Sequence, residues 1–329
     1  MPPKKNRGSG TAQPQISSES FRYMGAKWQA LSFKLFVRRS FFYSYFYILY
    51  FANRKAWRNA DQLYCFPVTP ARPYGIWKCL RLTGIRPATT PQDGSRLALA
   101  HFDVTTVEPR LMSKFKGGLH PETFVINEHC LSISKEIVER RFEKIFGEPL
   151  RIDPTSFVGQ GIKKSKWNSA HDGEILSFPI PTEEVDPDCV YQRLIDNEWD
   201  EVYTRDFRVM IVGDEIPFVA ILLRRREFRF GQCPAERASF AAPERLFSQE
   251  EQERLLNLAR AMGVDFGLLD VLRSNSSGRI YVVDVNNTPH LPPPATENWR
   301  GILAMHLMAK AFKRQFLDRR YSRIDQRRA

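Results

Sequence analysis

Two apolar strands joined by a short polar turn, with acidic side chains set into their interiors, place the tightest limit on this chain. Phe266–Leu272 and Arg279–Val285 read as β-strands, and Ser274-Asn275-Ser276-Ser277-Gly278 reads as the turn between them. Side chains alternate along a strand, so Asp284 and Asn286 project from one face. A hairpin centred near Ser277 brings Asp270 beside Asp284 on that same face. Ile280, Val282, Val283 and Val285 make the surroundings apolar, where carboxylates without a cation are costly. Two carboxylates and an amide oxygen are hard donors, the set expected for magnesium shared with nucleotide phosphates. A strand that simply ends in an Asp/Asn turn accounts for the same residues, and the hairpin alone does not separate the two.

Two upstream segments add cations. Gly161-Ile162-Lys163-Lys164-Ser165 reads as a strand that leads through Lys166-Trp167-Asn168-Ser169-Ala170 to His171-Asp172-Gly173. Such a loop offers backbone N–H groups to phosphate oxygens while a lysine supplies charge, although the GxxxxGK[ST] pattern is absent. A basic surface hairpin is the plainer account. In Asp206-Phe207-Arg208, alternation puts the acid and the guanidinium on one side of a strand. Arg208 is then placed to clamp a phosphate or carboxylate, oriented by Asp206; a surface ion pair is the alternative. Arg224-Arg225-Arg226 reads as a solvated edge with room for one inward side chain, and Arg225 or Arg226 is a candidate holder of an acidic substrate. His171 and His290 are acid/base candidates on loops. No Ser/His/Asp or Cys/His nucleophile can be assembled.

Around these segments the periodicity predicts a helix over Ser134–Phe146, capped by Ser134 and stopped by Gly147, with Val138, Phe142, Ile145 and Phe146 on its apolar face. A second covers Gln249–Met262, opened by the box Ser248-x-x-Glu251 and closed by Gly263. A last helix runs from about Asn298 to Phe316. Leu97–Phe102 reads as a buried strand, and Cys189–Ile195, Phe207–Val212 and Ile216–Leu223 as further strands. The class is α+β.

The N-terminal part is different in kind. Residues 1–20 are basic and rich in Pro, Gly and Ser, which predicts a disordered leader and no secretory signal. Residues 31–52 carry the run Phe41-Phe42-Tyr43-Ser44-Tyr45-Phe46-Tyr47-Ile48-Leu49-Tyr50-Phe51, flanked by Arg38, Arg39, Arg54 and Lys55. It is too short to span a bilayer, which takes about 20 apolar residues. It reads first as a helix packed on the main body, with peripheral membrane contact as the alternative. The formal charge of +12 sits at the ends: residues 1–60 hold 11 Lys/Arg against Glu19, and residues 310–329 hold 8 against Asp318 and Asp325. The remaining 30 basic and 34 acidic residues leave the body slightly acidic, which disfavours specific nucleic-acid recognition. Cys65, Cys79, Cys130, Cys189 and Cys233 are odd in number and form no CxxC pair, which argues against a disulfide framework or zinc site and for the cytoplasm. Oligomeric state is not encoded in any feature found.

The ordered set of motifs resembles the ATP-grasp superfamily, in particular stand-alone ATP-grasp domain proteins. The likeness covers about Gln62–Pro289: Ile126-Asn127 through Ile133-Ser134-Lys135, Phe146-Gly147, Lys164-Ser165, His171-Asp172-Gly173, Val190–Asp196, Asp206-Phe207-Arg208, Gly267–Asp270 and Asp284–Pro289. It implies an ATP-grasp fold of two α+β subdomains enclosing a nucleotide site; the N-terminal 60 residues match nothing in the family and are read as a basic aromatic extension. Composition and resemblance together give the expected divisions: a leader (1–20), a helical extension (21–60), a pre-ATP-grasp-like segment (61–125), a catalytic core (126–310) and a basic tail (311–329). By the resemblance, Lys164, Lys135 and His171 contact ATP, and the main chain of Gln192–Ile195, including Leu194, reads adenine. Asp196 or Glu198 lies near ribose, and Arg208 faces the transferring phosphate. Asp270, Asp284 and Asn286 hold Mg2+. The implied activity is ADP-forming ligation of a small-molecule or peptide carboxylate to an amine through an acyl-phosphate. A degenerate nucleotide-binding scaffold, recruiting partners through its ends, is the alternative. Two departures stand out: Asp270 replaces the usual glutamate, and the phosphate loop is not glycine-rich.

Overall fold

A computed structural model of the chain describes residues 36–52, 62–91, 96–166, 172–229 and 235–318. The expected leader, Trp167–His171, Cys233 and all of the basic tail after residue 318 lie outside the described residues.

The aromatic run is a helix, α1 (36–52). Phe42 and Phe46, four apart, are fully buried on one face and join the core through Trp77, with the Phe46 and Trp77 rings 6.2 Å apart. The packed-helix reading therefore holds for that face.

Where the periodicity predicts a single strand, Leu97–Phe102, residues 62–126 hold a four-stranded parallel sheet. β1 (Gln62–Phe66), β2 (Arg86–Ala88), β3 (Leu97–Ala100) and β4 (Phe124–Ile126) lie in the order β2-β1-β3-β4, crossed by α2 (Gly75–Thr83) and α3 (Pro109–Gly117). Every residue of β3 is buried, as expected of a strand covered on both faces. Asn127, directly after β4, takes the left-handed conformation at φ 62°.

α4 (Lys135–Phe146) follows, ending on Gly147 in the left-handed conformation. Ser134 occupies the N-cap position, but its side chain makes no capping bond, contrary to expectation. β5 (Gly159–Ser165), β6 (Glu174–Phe178) and β7 (Cys189–Arg193) form an antiparallel sheet in the order β6-β5-β7. β8 (Tyr203–Val212), β9 (Val219–Arg225), β10 (Arg237–Ala241), β11 (Phe266–Arg273) and β12 (Ile280–Asn286) form a second, in the order β10-β9-β8-β11-β12. Between β10 and β11 lies α5 (Gln249–Met262), opened by the predicted reciprocal Ser248–Glu251 box and closed by Gly263. Gly263 has φ 70°, and a Cβ there would lie 2.2 Å from the His129 carbonyl carbon, so both conformation and space demand glycine. α6 (Trp299–Phe312) is extended by a π-helical turn, Lys313–Asp318.

The five-stranded sheet is covered on both sides. Phe207, Val209, Ile211 and Leu269 meet Val138 and Phe142 of α4 and Leu255 and Leu258 of α5. On the opposite face Met210 and Leu268 meet Met305, Met308 and Phe312 of α6. At β8–β11–β12 that second face continues beyond the apolar cover into charged side chains, and the candidate site begins there.

Candidate functional site

Cross-strand partners in an antiparallel sheet share a face. β8, β11 and β12 pair so that Arg208 stands opposite Asp270 and Asp270 opposite Asp284, a row across three adjacent strands. Arg208 Nε lies 3.5 Å from Asp270 Oδ1. A β-bulge after Asp270 pairs Val271 with Val282, leaving Val283 as the extra residue. Strict alternation would put Val282 on Asp284's face; the bulge lets Val282 join the core beneath α4 and α5 while Asp284 faces the site.

Burial, and then Asp270, push the Asp284 carboxyl up to about 6, against the pull of Lys164 and Lys135. Lys164 on β5 is drawn down to about 8 by burial, with Lys135 adding to that and Asp284, Glu139 and Asp172 opposing it. Lys135, the buried first residue of α4, is likewise lowered by burial and supported by Asp284, Asp172 and Glu139. Lys164 of β5 and Lys135 of α4 thus lie within electrostatic reach of Asp284, and Asp284 within reach of Asp270.

Glu139 was not singled out from sequence. It sits one turn after Lys135 on α4, buried, and accepts a hydrogen bond from Gln192 Nε2 on β7. Its Oε2 is buried without a hydrogen-bond partner. The i, i+4 spacing of Lys135 and Glu139 on a helix whose stripe is apolar was the available signal.

The other candidates are distributed as follows. Leu194 is half-buried and Ile195 buried, and the Ile195 carbonyl accepts from Arg229 Nη2. Asp196 Oδ2 accepts from Ser276 N at 2.8 Å, fastening the β11–β12 turn. Glu198 pairs with Arg226 and Arg229 at 3.5 and 3.6 Å. Asp206 does not orient Arg208 by an ion pair: its partners are Arg224 at 3.8 Å and Asn197 Nδ2 at 2.8 Å, because Asp270 is the acid opposite Arg208. Arg224 is the inward-facing arginine of its trio, whereas Arg225 pairs with Glu236 and Glu227 at the sheet edge. His171 lies outside the described residues.

Asn286 Oδ1 accepts from Thr288 N at 2.8 Å, and Thr288 Oγ1 donates to Asp103 Oδ1 at 2.9 Å. Tyr74 OH donates to Asp103 Oδ2 at 2.6 Å. Burial alone would raise Asp103, but these two hydroxyls, with His290 and His101, hold its carboxyl below the usual range. His101 and His290 set their rings edge-on to Tyr74 at 4.7 and 4.6 Å. Asp103 and Tyr74 were missed because they come from the parallel sheet, which the sequence did not reveal. The signal was an acid just beyond the C-terminal end of a buried parallel strand, where α/β sheets place ligands.

His101 yields a pH prediction. Burial lowers it from 6.5 to about 4, so the folded chain refuses a proton that the unfolded chain accepts. Its contribution is complete above about pH 6.5 and is lost as pH falls toward 4, about 3 kcal/mol in all at 1.36 kcal/mol per unit. Urea denaturation across that window should show the fall, and His101→Gln should flatten it.

The donor set suits a hard cation. Among the described residues no three His, Cys, Asp or Glu side chains cluster as a metal site. A cation here would take the two carboxylates and the second lone pair of Asn286 Oδ1, with further positions left for phosphate oxygens or water.

No protein-family model matches the chain, and no curated protein matches it by sequence. Solved structures do match. The ATP-grasp ligase PsnB complexed with a minimal precursor aligns with a TM-score of 0.52 and 14% identity, over 78% of this chain and 99% of that one. D-alanine–D-alanine ligase from Bacillus anthracis gives 0.47 and 13% over 80% and 100%. The macrocyclase MdnC from Microcystis aeruginosa MRC, bound with precursor peptide MdnA, gives 0.46 and 10% over 76% and 98%. Of these three, the PsnB alignment exceeds 0.5 and carries the assignment. By its sheets, their order and this similarity, the chain has the ATP-grasp fold.

Proposed function

We propose that this chain is a Mg-ATP-dependent ligase that activates a carboxylate as an acyl-phosphate and transfers the acyl group to an amine. The observation that carries the reading is the Arg208–Asp270–Asp284 row with Lys135 and Lys164 set against it. That juxtaposition sets a carboxylate pair suited to a dication near three cations suited to phosphate, which supports the reading.

Asp270, Asp284 and Asn286 would hold magnesium, which supplies Lewis-acid polarisation and charge neutralisation at the transferring phosphate. Lys164 and Lys135 bind phosphate oxygens; both are pushed toward neutrality by burial, and a phosphate restores their charge. The Gln192–Ile195 main chain reads adenine, and Glu139 Oε2, buried without a partner, accepts from the base. Of the two acids near ribose, Glu198 is favoured, since its arginine contacts are longer than the bond that commits Asp196 to the turn.

A carboxylate oxygen attacks the γ-phosphorus and ADP leaves. The amine then attacks the acyl carbon, phosphate leaves, and the nitrogen gives up its proton. Arg208 neutralises the phosphoryl group in both steps. Asp103, anionic and linked through Thr288 to Asn286, holds the amine's N–H groups; His290, whose imidazole partial desolvation holds below its ordinary value, is the neighbouring proton acceptor. Asp103→Asn should raise KM for the amine about 10–100-fold and leave Mg-ATP affinity within about twofold.

The test is ADP release with pools of acids and amines, peptides among them in view of the precursor bound to PsnB. ADP formation that requires both an acid and an amine supports the ligase. ATP binding without turnover for every pair overturns it in favour of a nucleotide-binding scaffold.

A further inference from the structure

α1 and α6 lie side by side along a polar seam. Tyr45 OH and His306 Nε2 are 2.7 Å apart, Arg39 Nε pairs with Glu297 Oε2 at 2.8 Å, and Arg38 Nη2 donates to the Pro294 carbonyl at 2.7 Å. The inner faces of both helices belong to the core.

The outward faces are apolar too. On α1, Phe41, Ile48 and Phe51 are 72%, 66% and 63% exposed; on α6, Trp299, Leu303 and Leu307 are 63%, 54% and 47% exposed. Phe41 and Ile48 stand one turn to either side of Tyr45, and Leu303 one turn before His306. Both stripes therefore border the seam on its solvent side and form one patch. Scattered exposed apolar residues need no explanation, but a continuous two-helix patch does.

The charge around the patch says what covers it. Neither helix contains an acidic residue, while Arg38, Arg39, Arg300 and Lys310 lie on them. The sequence that runs on from them is basic as well: residues 1–35 hold six Lys/Arg against Glu19, and 319–329 hold five Arg against Asp325. A second copy of the chain would oppose two cationic faces. No helix among the described residues is long and apolar enough to cross a membrane. Aromatic and aliphatic side chains on helices lying flat, rimmed by cations, match the interface of a bilayer with anionic headgroups.

We propose that the outward face of α1 and α6 is a docking surface for an anionic membrane, with both helices in the plane of the interface. The test is co-sedimentation of the full chain with vesicles of phosphatidylcholine alone and of phosphatidylcholine mixed with phosphatidylserine. The chain should pellet with the mixed vesicles, weakly or not at all with the neutral ones, and less as salt is raised. Phe41→Ser combined with Leu303→Ser should weaken binding about tenfold or more. Arg300→Glu with Lys310→Glu, both exposed and clear of the core, tests the charge term independently and should also release the chain. Failure to pellet with either vesicle, or pelleting unchanged in both double variants, overturns the proposal. So does self-association in analytical ultracentrifugation that disappears with the same substitutions, which would give the face to a second copy. Capture by an acidic protein with no affinity for vesicles would give it to that partner instead.

Discussion

Asp284→Asn is expected to cut magnesium-dependent ATP turnover about 10²–10³-fold while making the metal-free chain more stable. Loss of activity alone is what any site substitution does; the opposite movement of stability is specific to this geometry. Asp284 faces Asp270 across the β11–β12 pair, and burial together with that neighbour raises its carboxyl to about 6 despite Lys164 and Lys135. The penalty on the charged form exceeds the attraction of the lysines, so an uncharged isostere relieves more than it removes. The side chain keeps some solvent contact, so the gain is about 1 kcal/mol, or about 2–4 °C in Tm. Scanning calorimetry in a chelator should show the rise, and magnesium with ATP should reverse the order by stabilising the wild-type chain alone. A lower Tm for the variant without metal would mean that Asp284 serves chiefly as an ion-pair partner of the lysines.

Asn127→Ala should destabilise the fold by about 4 kcal/mol, more than any exposed substitution. The side chain is 1% exposed and joins two sheets. Its Oδ1 accepts from Asp265 N at 2.8 Å and Phe266 N at 2.9 Å, and its Nδ2 donates to the Phe266 and Asn287 carbonyls at 2.9 and 3.3 Å. Alanine leaves those main-chain groups buried and unpaired, at about 1–3 kcal/mol each before relaxation. It also places a Cβ-bearing residue without a local hydrogen bond at φ 62°, worth about 1–2 kcal/mol more. Asn127→Gly removes the bonds but not the conformational freedom, so it should lose about 1 kcal/mol less than alanine in urea denaturation. Since Asn287 adjoins Asn286, the same network fixes the end of β12 relative to the parallel sheet.

The parts readable from sequence were those specified by local rules. Ser248, Glu251 and Gly263 bound α5 by capping chemistry confined to its own ends. The turn near Ser277 sets which residues of β11 and β12 meet, so Asp270 opposite Asp284 followed from the spacing. Val283 shows the limit: a bulge moves Val282 to the core face, and alternation carries no warning of it. The parallel sheet was largely missed because β2 and β4 have three residues each and pair with strands far away in sequence. Parallel pairing leaves no hairpin signature, and Asp103 was lost with it. Asp206 and Arg208 were rightly placed on one face, but their partners, Arg224 and Asp270, are set by neighbouring strands that alternation within β8 does not report. The packing of α1 on the body was readable from its aromatic run, yet its neighbour was not, because Tyr45 meets His306 of α6 261 positions away.

The ligase reading requires Mg-ATP to bind where the Asp270–Asp284 pair meets Lys135 and Lys164. Calorimetric titration of the full chain with ATP, with and without magnesium, tests it most directly. The expected result is saturable one-to-one binding that requires magnesium, is lost in Asp284→Asn, and is weakened about tenfold or more in Lys164→Ala. No binding by a folded wild-type chain, or equal affinity in both variants, would contradict it.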